Sequence, residues 1–123
     1  MNMLTDFGKA LRKLRIDRYE LLKHMADKLQ MSASYLSSIE TGKRPIPDTM
    51  PDQIVNLYQL QGIEKQDVVS AYESTITKAT LDLQNVEGES RQLALSFARN
   101  FTDLSPHDID ALRAILSRKE GAE

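Results

Sequence analysis

Apolar residues recur at intervals of three and four along most of the chain, the spacing that is typical of amphipathic helices. Leu4, Phe7, Leu11 and Leu14 show this spacing first, and basic side chains occupy the other faces of the same segment. The spacing continues through four further segments, so that five helices are predicted over residues 3–16, 20–29, 32–41, 51–60 and 65–77. Five short helices in succession predict an all-α N-terminal domain over residues 1–77.

After residue 79 the pattern changes, and the rest of the chain is predicted to form a C-terminal module over residues 78–123. Residues 80–86 partly alternate apolar and polar positions, which predicts a short strand over 80–84. Apolar spacing then predicts helices over 89–101 and 106–118. The second of these begins with Ser-Pro-His-Asp, which supplies a capping hydroxyl, a proline at the first helical position and an acidic partner for a capping box.

The C-terminal module contains more apolar side chains than two helices and one strand can bury alone. Three interpretations are open: a ligand groove, packing on the N-terminal domain, and packing on a second copy of the chain. The last is favoured because an isolated strand needs a partner, and the same strand of a second chain supplies one across a two-fold axis. We therefore predict a homodimer. Its predicted interface residues are Leu81, Leu83, Phe97, Phe101, Ile109, Leu112 and Leu116.

The length of 123 residues fits one domain, or one small domain with an oligomerisation appendage. The sequence has no Cys, which excludes disulfides, thiolate metal sites and cysteine catalysis and fits a reducing compartment. No apolar run approaches the roughly 20 residues of a membrane span, and no signal peptide is visible. We expect a cytoplasmic protein that binds no membrane.

The net charge of −2 hides an asymmetry between the two halves of the chain. Residues 1–50 carry nine Lys and Arg against six Asp and Glu, whereas residues 51–123 carry seven against twelve. A basic first half favours a polyanionic partner such as a nucleic acid, and the acidic second half does not.

Residues that could support catalysis or metal binding are few. His24 and His107 are the only histidines, and neither has a second ligand at metal-binding spacing. Ser105, His107 and Asp108 offer a hydroxyl, an imidazole and a carboxylate, but the chemistry of a helix start already explains Ser105 and Asp108. No glycine-rich phosphate loop is present. We expect no metal, no cofactor and no enzymatic activity.

The most informative stretch runs from Leu22 to Arg44, where two short helices are joined by a tight turn. Such helices must cross closely, and Ala26 supplies the small residue that the crossing needs. Met31 places an apolar side chain in the turn, and Leu36 anchors the second helix together with Ile39. The side chains left on the outer face of the second helix are short and neutral, and they are Ala33, Ser34, Ser37 and Ser38. A helix with such a face can enter the major groove of DNA, although isolated surface serines are also ordinary solvent-facing residues.

Residues 11–15, 25–29 and 34–44 together resemble the helix-turn-helix of XRE-type, lambda-repressor-like transcriptional regulators, and the likeness covers about residues 4–77. The resemblance implies that Ala33, Ser34, Ser37 and Ser38 face DNA bases. It implies phosphate contacts by Tyr35, Thr41, Lys43 and Arg44. It also implies a structural ion pair between Arg15 of the first helix and Glu40 at the end of the recognition helix.

The sequence departs from the family pattern at two positions. Leu22 stands where the family often has a glutamine that contacts DNA, so this contact is either absent or made to a phosphate by Lys23, which we count among the candidate phosphate-binding residues. Gln30 stands where the turn usually has glycine. If the backbone there keeps a positive φ, a residue other than glycine costs on the order of 1 kcal/mol.

The resemblance implies a sequence-specific DNA-binding regulator with double-stranded DNA as its partner, and we expect a dimeric repressor that reads two half-sites roughly 34 Å apart. An antitoxin is the alternative. In that case the acidic second half binds a basic toxin protein, and the first half regulates the operon that encodes both.

Overall fold

The structure is a computed structural model that describes residues 3–121. Within these residues it contains seven α-helices, one short 3-10 helix and no β-strand. The α-helices are α1 (Asp6–Asp17), α2 (Leu22–Lys28), α3 (Ala33–Glu40), α4 (Met50–Leu57), α5 (Gly62–Thr75), α6 (Gly88–Asn100) and α7 (Pro106–Glu120), and the 3-10 helix, Phe101–Asp103, follows α6 directly. The chain divides into two compact units, with the boundary between Ala79 and Thr80.

Side-chain caps fix where three of the helices begin. The Thr5 hydroxyl accepts from the backbone N–H of Gly8 at 3.1 Å, and the Ser32 hydroxyl accepts from that of Tyr35 at 3.0 Å. The Ser105 hydroxyl and the Asp108 carboxylate each accept from the backbone N–H of the other at 3.1 Å, which completes a capping box. Each cap satisfies a backbone donor that the helix itself leaves unpaired, so these residues set the starts of α1, α3 and α7.

A largely aliphatic core, which also contains the rings of Phe7 and Tyr58, holds the first unit together. Seven large side chains are fully buried, and they come from α1, α2, α3 and α4: Phe7, Leu11, Met25, Leu36, Ile39, Met50 and Ile54. Helix α5 packs chiefly on α1 and contributes Val68 to the same core. Burying a side chain of this size stabilises the fold by roughly 1.5–3 kcal/mol, so this cluster accounts for the compact first unit.

The start of α1 lies directly against the end of α3. The backbone N–H and the hydroxyl of Thr5 both donate to the carbonyl oxygen of Glu40, at 2.9 and 3.0 Å. At Gly8, an added Cβ would lie 2.2 Å from the same carbonyl oxygen. Only glycine permits this approach of two backbones, and the approach fixes the position of α3 relative to α1.

The second unit is built differently, because none of its described residues, 80–121, is buried. Helix α6 contacts the 3-10 helix that follows it. Arg91 of α6 donates to the carbonyl oxygens of Leu83 and Val86 at 3.1 and 3.4 Å. These bonds hold the preceding loop against the start of the helix. The apolar side chains of the unit stay at least partly exposed in the single chain.

The predicted strand over residues 80–84 is wrong. Asp82 accepts the backbone N–H of Gln84 at 2.9 Å, and the backbone N–H of Val86 donates to the carbonyl of Leu83 at 3.0 Å. Asn85, with a φ of 73°, occupies the left-handed region within this turn. Short polar side chains compete in this way with strand pairing, so the alternation of apolar and polar residues marks a turn-containing loop here. The regular secondary structure in the described part of the C-terminal module is therefore helical, and it begins at Gly88 after this loop.

Helix boundaries differ from the sequence prediction mainly between α4 and α5. Helix α4 ends at Leu57, and α5 begins at Gly62, three residues before the predicted start. Gln59 and Gly62 both have positive φ values, of 51° and 59°, which stop one helix and turn the chain into the next.

Candidate nucleic-acid interface

Helices α2 and α3 form a helix-turn-helix with the close crossing that the sequence predicts. Ala26 is almost fully buried at the crossing, and Met31 in the turn packs against the core. The backbone N–H of Gln30 donates to the carbonyl of Asp27 at 3.1 Å, and that of Met31 donates to the carbonyl of Ala26 at 3.0 Å. Gln30 has a φ of 59°, so the turn keeps the left-handed geometry without glycine.

Helix α3 presents one face to the core and the other to solvent. Leu36 and Ile39 are fully buried, and they hold the helix from beneath. Its short outer side chains are at least partly accessible: Ser34 is exposed, while Ala33, Ser37 and Ser38 are half-buried. A helix that is rigidly held from one side and carries short side chains on the other can approach the base edges of a major groove closely.

Two hydroxyls at the outer face bond to the backbone of α3 itself. The Ser38 hydroxyl donates to the carbonyl of Tyr35 at 2.6 Å, and the Thr41 hydroxyl donates to that of Ser37 at 3.0 Å. Each hydroxyl uses its single hydrogen in this bond, so only its lone pairs remain available, as acceptors. In this arrangement Ser38 and Thr41 can act as acceptors toward a ligand.

Arg44, in the loop after α3, lies against Tyr35 of the same helix. The Arg44 guanidinium lies over the Tyr35 ring, 5.4 Å from its centroid, which is a cation–π arrangement. The backbone N–H of Arg44 donates to the carbonyl of Ser38 at 3.1 Å, and Gly42, with a φ of 80°, turns the chain back to allow it. The charged group of Arg44 is thereby placed next to the outer face of α3.

The other predicted phosphate-binding residues are accessible. Lys23, on α2, and Lys43, in the loop after α3, are exposed, and Thr41 is half-buried. Lysine and arginine side chains at the margins of such a helix pair are the usual ligands of backbone phosphates.

Arg15 and Glu40 form a buried ion pair between α1 and α3. Two parallel bonds join them, from Arg15 Nη1 to Glu40 Oε2 at 2.5 Å and from Nη2 to Oε1 at 3.1 Å. The Arg15 Nη1 group also lies 3.3 Å from the Sδ of Met25 on α2. The pair therefore connects three helices and fixes the direction in which α3 points.

A second polar network, which the sequence analysis missed, joins the loop between α1 and α2 to α4. The Tyr58 hydroxyl donates to Glu20 Oε2 at 2.6 Å, and Lys28 pairs with the other oxygen of that carboxylate. The Lys28 ammonium also lies 4.6 Å from the centroid of the Tyr58 ring. In the sequence, Tyr58 falls in the apolar spacing that predicts α4. This spacing marks it as an apolar position of that helix and does not predict the hydrogen bond of its hydroxyl.

Charge and burial shift the titration of this network. Burial acts to raise the pKa of Glu20, but the hydrogen bonds from Lys28 and Tyr58 outweigh it and lower that pKa below its ordinary value. Burial, and then the hydrogen bond to Glu20, raise the pKa of Tyr58 far above its ordinary value. Arg18 Nη1 donates to Glu64 Oε2 at 2.9 Å, and this hydrogen bond lowers the pKa of Glu64 below its ordinary value.

The predicted dimer-interface residues all lie in the second unit. Leu81, Phe97, Phe101 and Leu116 are exposed, whereas Leu83, Ile109 and Leu112 are half-buried. The Phe97 and Phe101 rings lie 5.3 Å apart. Leu81 and Leu83 belong to the loop that replaces the predicted strand, so strand pairing gives no reason to place these two residues in an interface.

A small cleft lies between α1 and α5 of the first unit. The cleft between α1 and α5, lined by Lys13, Asp17, Glu64 and Asp67 among others, has a volume of about 50 Å³, far below the usual size of a small-molecule site. His24 Nδ1 accepts the backbone N–H of Leu21 at 3.0 Å and so caps α2. Within residues 3–121 no group of three potential metal ligands comes together.

Comparison with known families gives a match to the first unit. A family model described as a helix-turn-helix domain matches residues 6–68, slightly more than half of the chain and the part that contains α1 to α4 and the beginning of α5. Comparisons with curated proteins and with solved structures find no match. In the described part of the chain, each helix is too short or too polar to cross a membrane.

Proposed function

The chain belongs to the helix-turn-helix domain family, and we propose that it is a sequence-specific DNA-binding transcriptional regulator that acts as a dimeric repressor. The observation that carries this proposal is the arrangement of α3. Leu36, Ile39 and the Arg15–Glu40 pair hold the helix from beneath, while its outer face is short, neutral and bordered by cations. The proposed site of action is the cytoplasm.

In the proposed complex, α3 enters the major groove. Ala33, Ser34, Ser37 and Ser38 are the side chains that meet base edges. Because the Ser38 hydroxyl donates to its own helix, we expect it to accept a hydrogen bond from an exocyclic amino group of a base. Short hydroxyls make no bidentate contacts with bases, so we expect part of the discrimination to come from DNA shape.

Affinity is proposed to come mainly from phosphate contacts by Lys23, Tyr35, Thr41, Lys43 and Arg44. The cation–π contact with Tyr35 restricts the Arg44 side chain before DNA arrives. Less conformational entropy is then lost on binding, which favours a tight contact.

Two copies are proposed to bind two half-sites of a palindrome, roughly 34 Å apart along one face of the duplex. A dimer bound in this way over a promoter blocks polymerase, which is how we expect repression to occur. No catalytic step forms part of this proposal.

An antitoxin is the second candidate function. Two observations favour it: residues 51–123 carry twelve acidic against seven basic side chains, and the second unit leaves apolar side chains uncovered. A basic toxin protein is then the additional partner. Substituting Ser34 and Lys43 separates the two functions, because a repressor loses its activity while an antitoxin still neutralises its toxin.

Fluorescence-anisotropy titration of the full chain against the DNA that flanks its own gene tests the proposal, with a random duplex as the control. We expect preferential binding of the native DNA and a loss of affinity of about a thousandfold between 50 and 200 mM salt. Arg44→Ala should weaken binding about tenfold or more, whereas Lys65→Ala removes an equal charge from the exposed side of α5 and should have little effect. Equal affinity for both duplexes would contradict sequence-specific regulation.

A further inference from the structure

The second unit carries an uncovered apolar stripe along α6 and the 3-10 helix that follows it. Leu93, Phe97 and Phe101 are spaced four residues apart, so they lie on one face. Their exposed fractions are 71%, 39% and 50%. We call these three residues the Phe97 stripe. The two aromatic rings already contact each other, with centroids 5.3 Å apart and planes inclined at 59°.

The side chains that border the Phe97 stripe on α6 are small or uncharged, namely Ser90, Ala94, Ser96 and Asn100. The amide of Asn100 donates to the carbonyl of Ser96 at 2.8 Å, so it is satisfied by its own helix.

The charged residues of α6 lie elsewhere, and Arg99, two residues after Phe97, is on the opposite side of the helix. Glu89 is at the first turn, beyond the end of the stripe, and Arg91 turns away to bond the Leu83 carbonyl. The exposed pair on α7, Ile115 and Leu116, is different, because Arg113 and Lys119 lie one turn away on the same helix.

We propose that a second copy of this chain covers the Phe97 stripe, with the two α6 helices antiparallel and the two-fold axis passing beside Phe97. This arrangement places Leu93 of each copy opposite Phe101 of the partner and brings the two Phe97 rings together. It also aligns the two helix dipoles in opposite directions. The inference rests on the proposed function, which requires two copies of the chain. It adds the surface through which the two copies associate.

Symmetry and charge select a second copy as the occupant. At a two-fold axis each residue meets its own counterpart, so a charged residue there would face a like charge. The neutral border of the Phe97 stripe avoids this repulsion. A basic toxin would instead be held by acidic side chains, which the border of the stripe does not provide.

The first test measures the molar mass of the full chain by sedimentation equilibrium without DNA. We expect a dimer, and Phe97→Ser should raise its dissociation constant about a hundredfold. Leu95→Ser is the matched control, because Leu95 has a similar exposed fraction, 41%, but lies on the opposite side of α6. We expect this control to leave the dissociation constant unchanged. A monomeric wild-type chain, or equal effects of both variants, would overturn the proposal.

Cysteine cross-linking tests the antiparallel arrangement directly, because the chain contains no cysteine of its own. Under mild oxidation, Phe97→Cys should form a covalent dimer and Leu95→Cys should not. Mixing Leu93→Cys with Phe101→Cys should give a mixed covalent dimer, whereas each of these variants alone should not cross-link. Cross-linking of Leu95→Cys alone would overturn the assignment of the stripe.

These measurements separate the inference from the proposed function. A wild-type dimer that loses its association with Phe97→Ser supports the interface even if the protein binds no specific DNA, which would defeat only the proposed function. Specific DNA binding by a chain that remains monomeric at all concentrations would overturn the inference and leave the helix-turn-helix assignment standing.

Discussion

Gln30, in the turn of the helix-turn-helix, has a backbone conformation that glycine adopts more easily than any other residue. Its φ of 59° lies in the left-handed region, where a Cβ crowds the following carbonyl. The Met31 and Gln30 backbone bonds to the end of α2 keep the residue there. The sequence predicted that a residue other than glycine in this turn costs free energy. The φ of Gln30 shows that the turn keeps its left-handed geometry despite this cost.

Gln30→Gly should therefore raise the free energy of unfolding by about 1 kcal/mol, because glycine removes the strain at little steric cost. Urea denaturation followed by circular dichroism measures this change. Gln66→Gly in the interior of α5 is the control, and it should lower the free energy of unfolding by about 1 kcal/mol, since glycine is unfavourable inside a helix. A destabilising Gln30→Gly would show that the turn needs the glutamine side chain.

The ion pair of Arg15 with Glu40 joins two side chains and positions two elements, α1 and α3. Both side chains are nearly inaccessible, so removing one leaves a buried charge without its partner. Arg15→Met or Glu40→Leu alone should lower the free energy of unfolding by about 3–5 kcal/mol, and the double variant should recover most of the loss. A double-mutant cycle measured by urea denaturation checks this, and additive losses would show that the two side chains are not energetically coupled.

At the scale of elements, the network of Glu20, Lys28 and Tyr58 ties the loop before α2 to the end of α4. Glu20 precedes α2 and Lys28 is its last residue, so the network ties both ends of α2 to Tyr58. Since the pKa of Glu20 is lower in the folded chain than in the unfolded chain, its contribution to stability is present above the unfolded pKa. It is lost as the pH falls through the folded pKa.

Tyr58→Phe should lower the free energy of unfolding by about 1–2 kcal/mol at neutral pH, because it removes a hydrogen bond to a charged group. The difference from the wild type should shrink as the pH falls through the folded-state pKa of Glu20, which lies below its ordinary value, and Glu20 takes up a proton. Urea denaturation at pH 7 and pH 3 measures it, with Tyr19→Phe, an exposed tyrosine, as the control. A difference that stays constant with pH would show that the hydroxyl does not act through Glu20.

Local signals predicted the helices well where the controlling residue is a sequence neighbour. Ser105 caps α7 as its pattern predicts, because a cap needs only residues within one turn. The predicted strand over 80–84 was wrong because alternation over five residues does not reveal the turn that the Asp82 side chain makes with the backbone N–H of Gln84. The Tyr58–Glu20 bond spans 38 positions, so no spacing rule finds it.

At the scale of the whole molecule, the two units have different requirements. The first unit buries its own core and contains the matched helix-turn-helix domain, whereas no described residue of the second unit is buried. A second unit that is covered by its own copy would hold two DNA-binding units together and raise the effective concentration of each at its half-site. Association and specific binding are therefore expected to be coupled.

The central claim is that two copies of α3 read two adjacent major grooves, and hydroxyl-radical footprinting with methylation interference tests it most directly. On the DNA flanking its own gene, the full chain should protect two patches roughly 34 Å apart on one face of the duplex. Methylation of purines in the major groove of each patch should interfere with binding. Uniform protection without half-sites, or protection that is insensitive to major-groove methylation, would contradict the account.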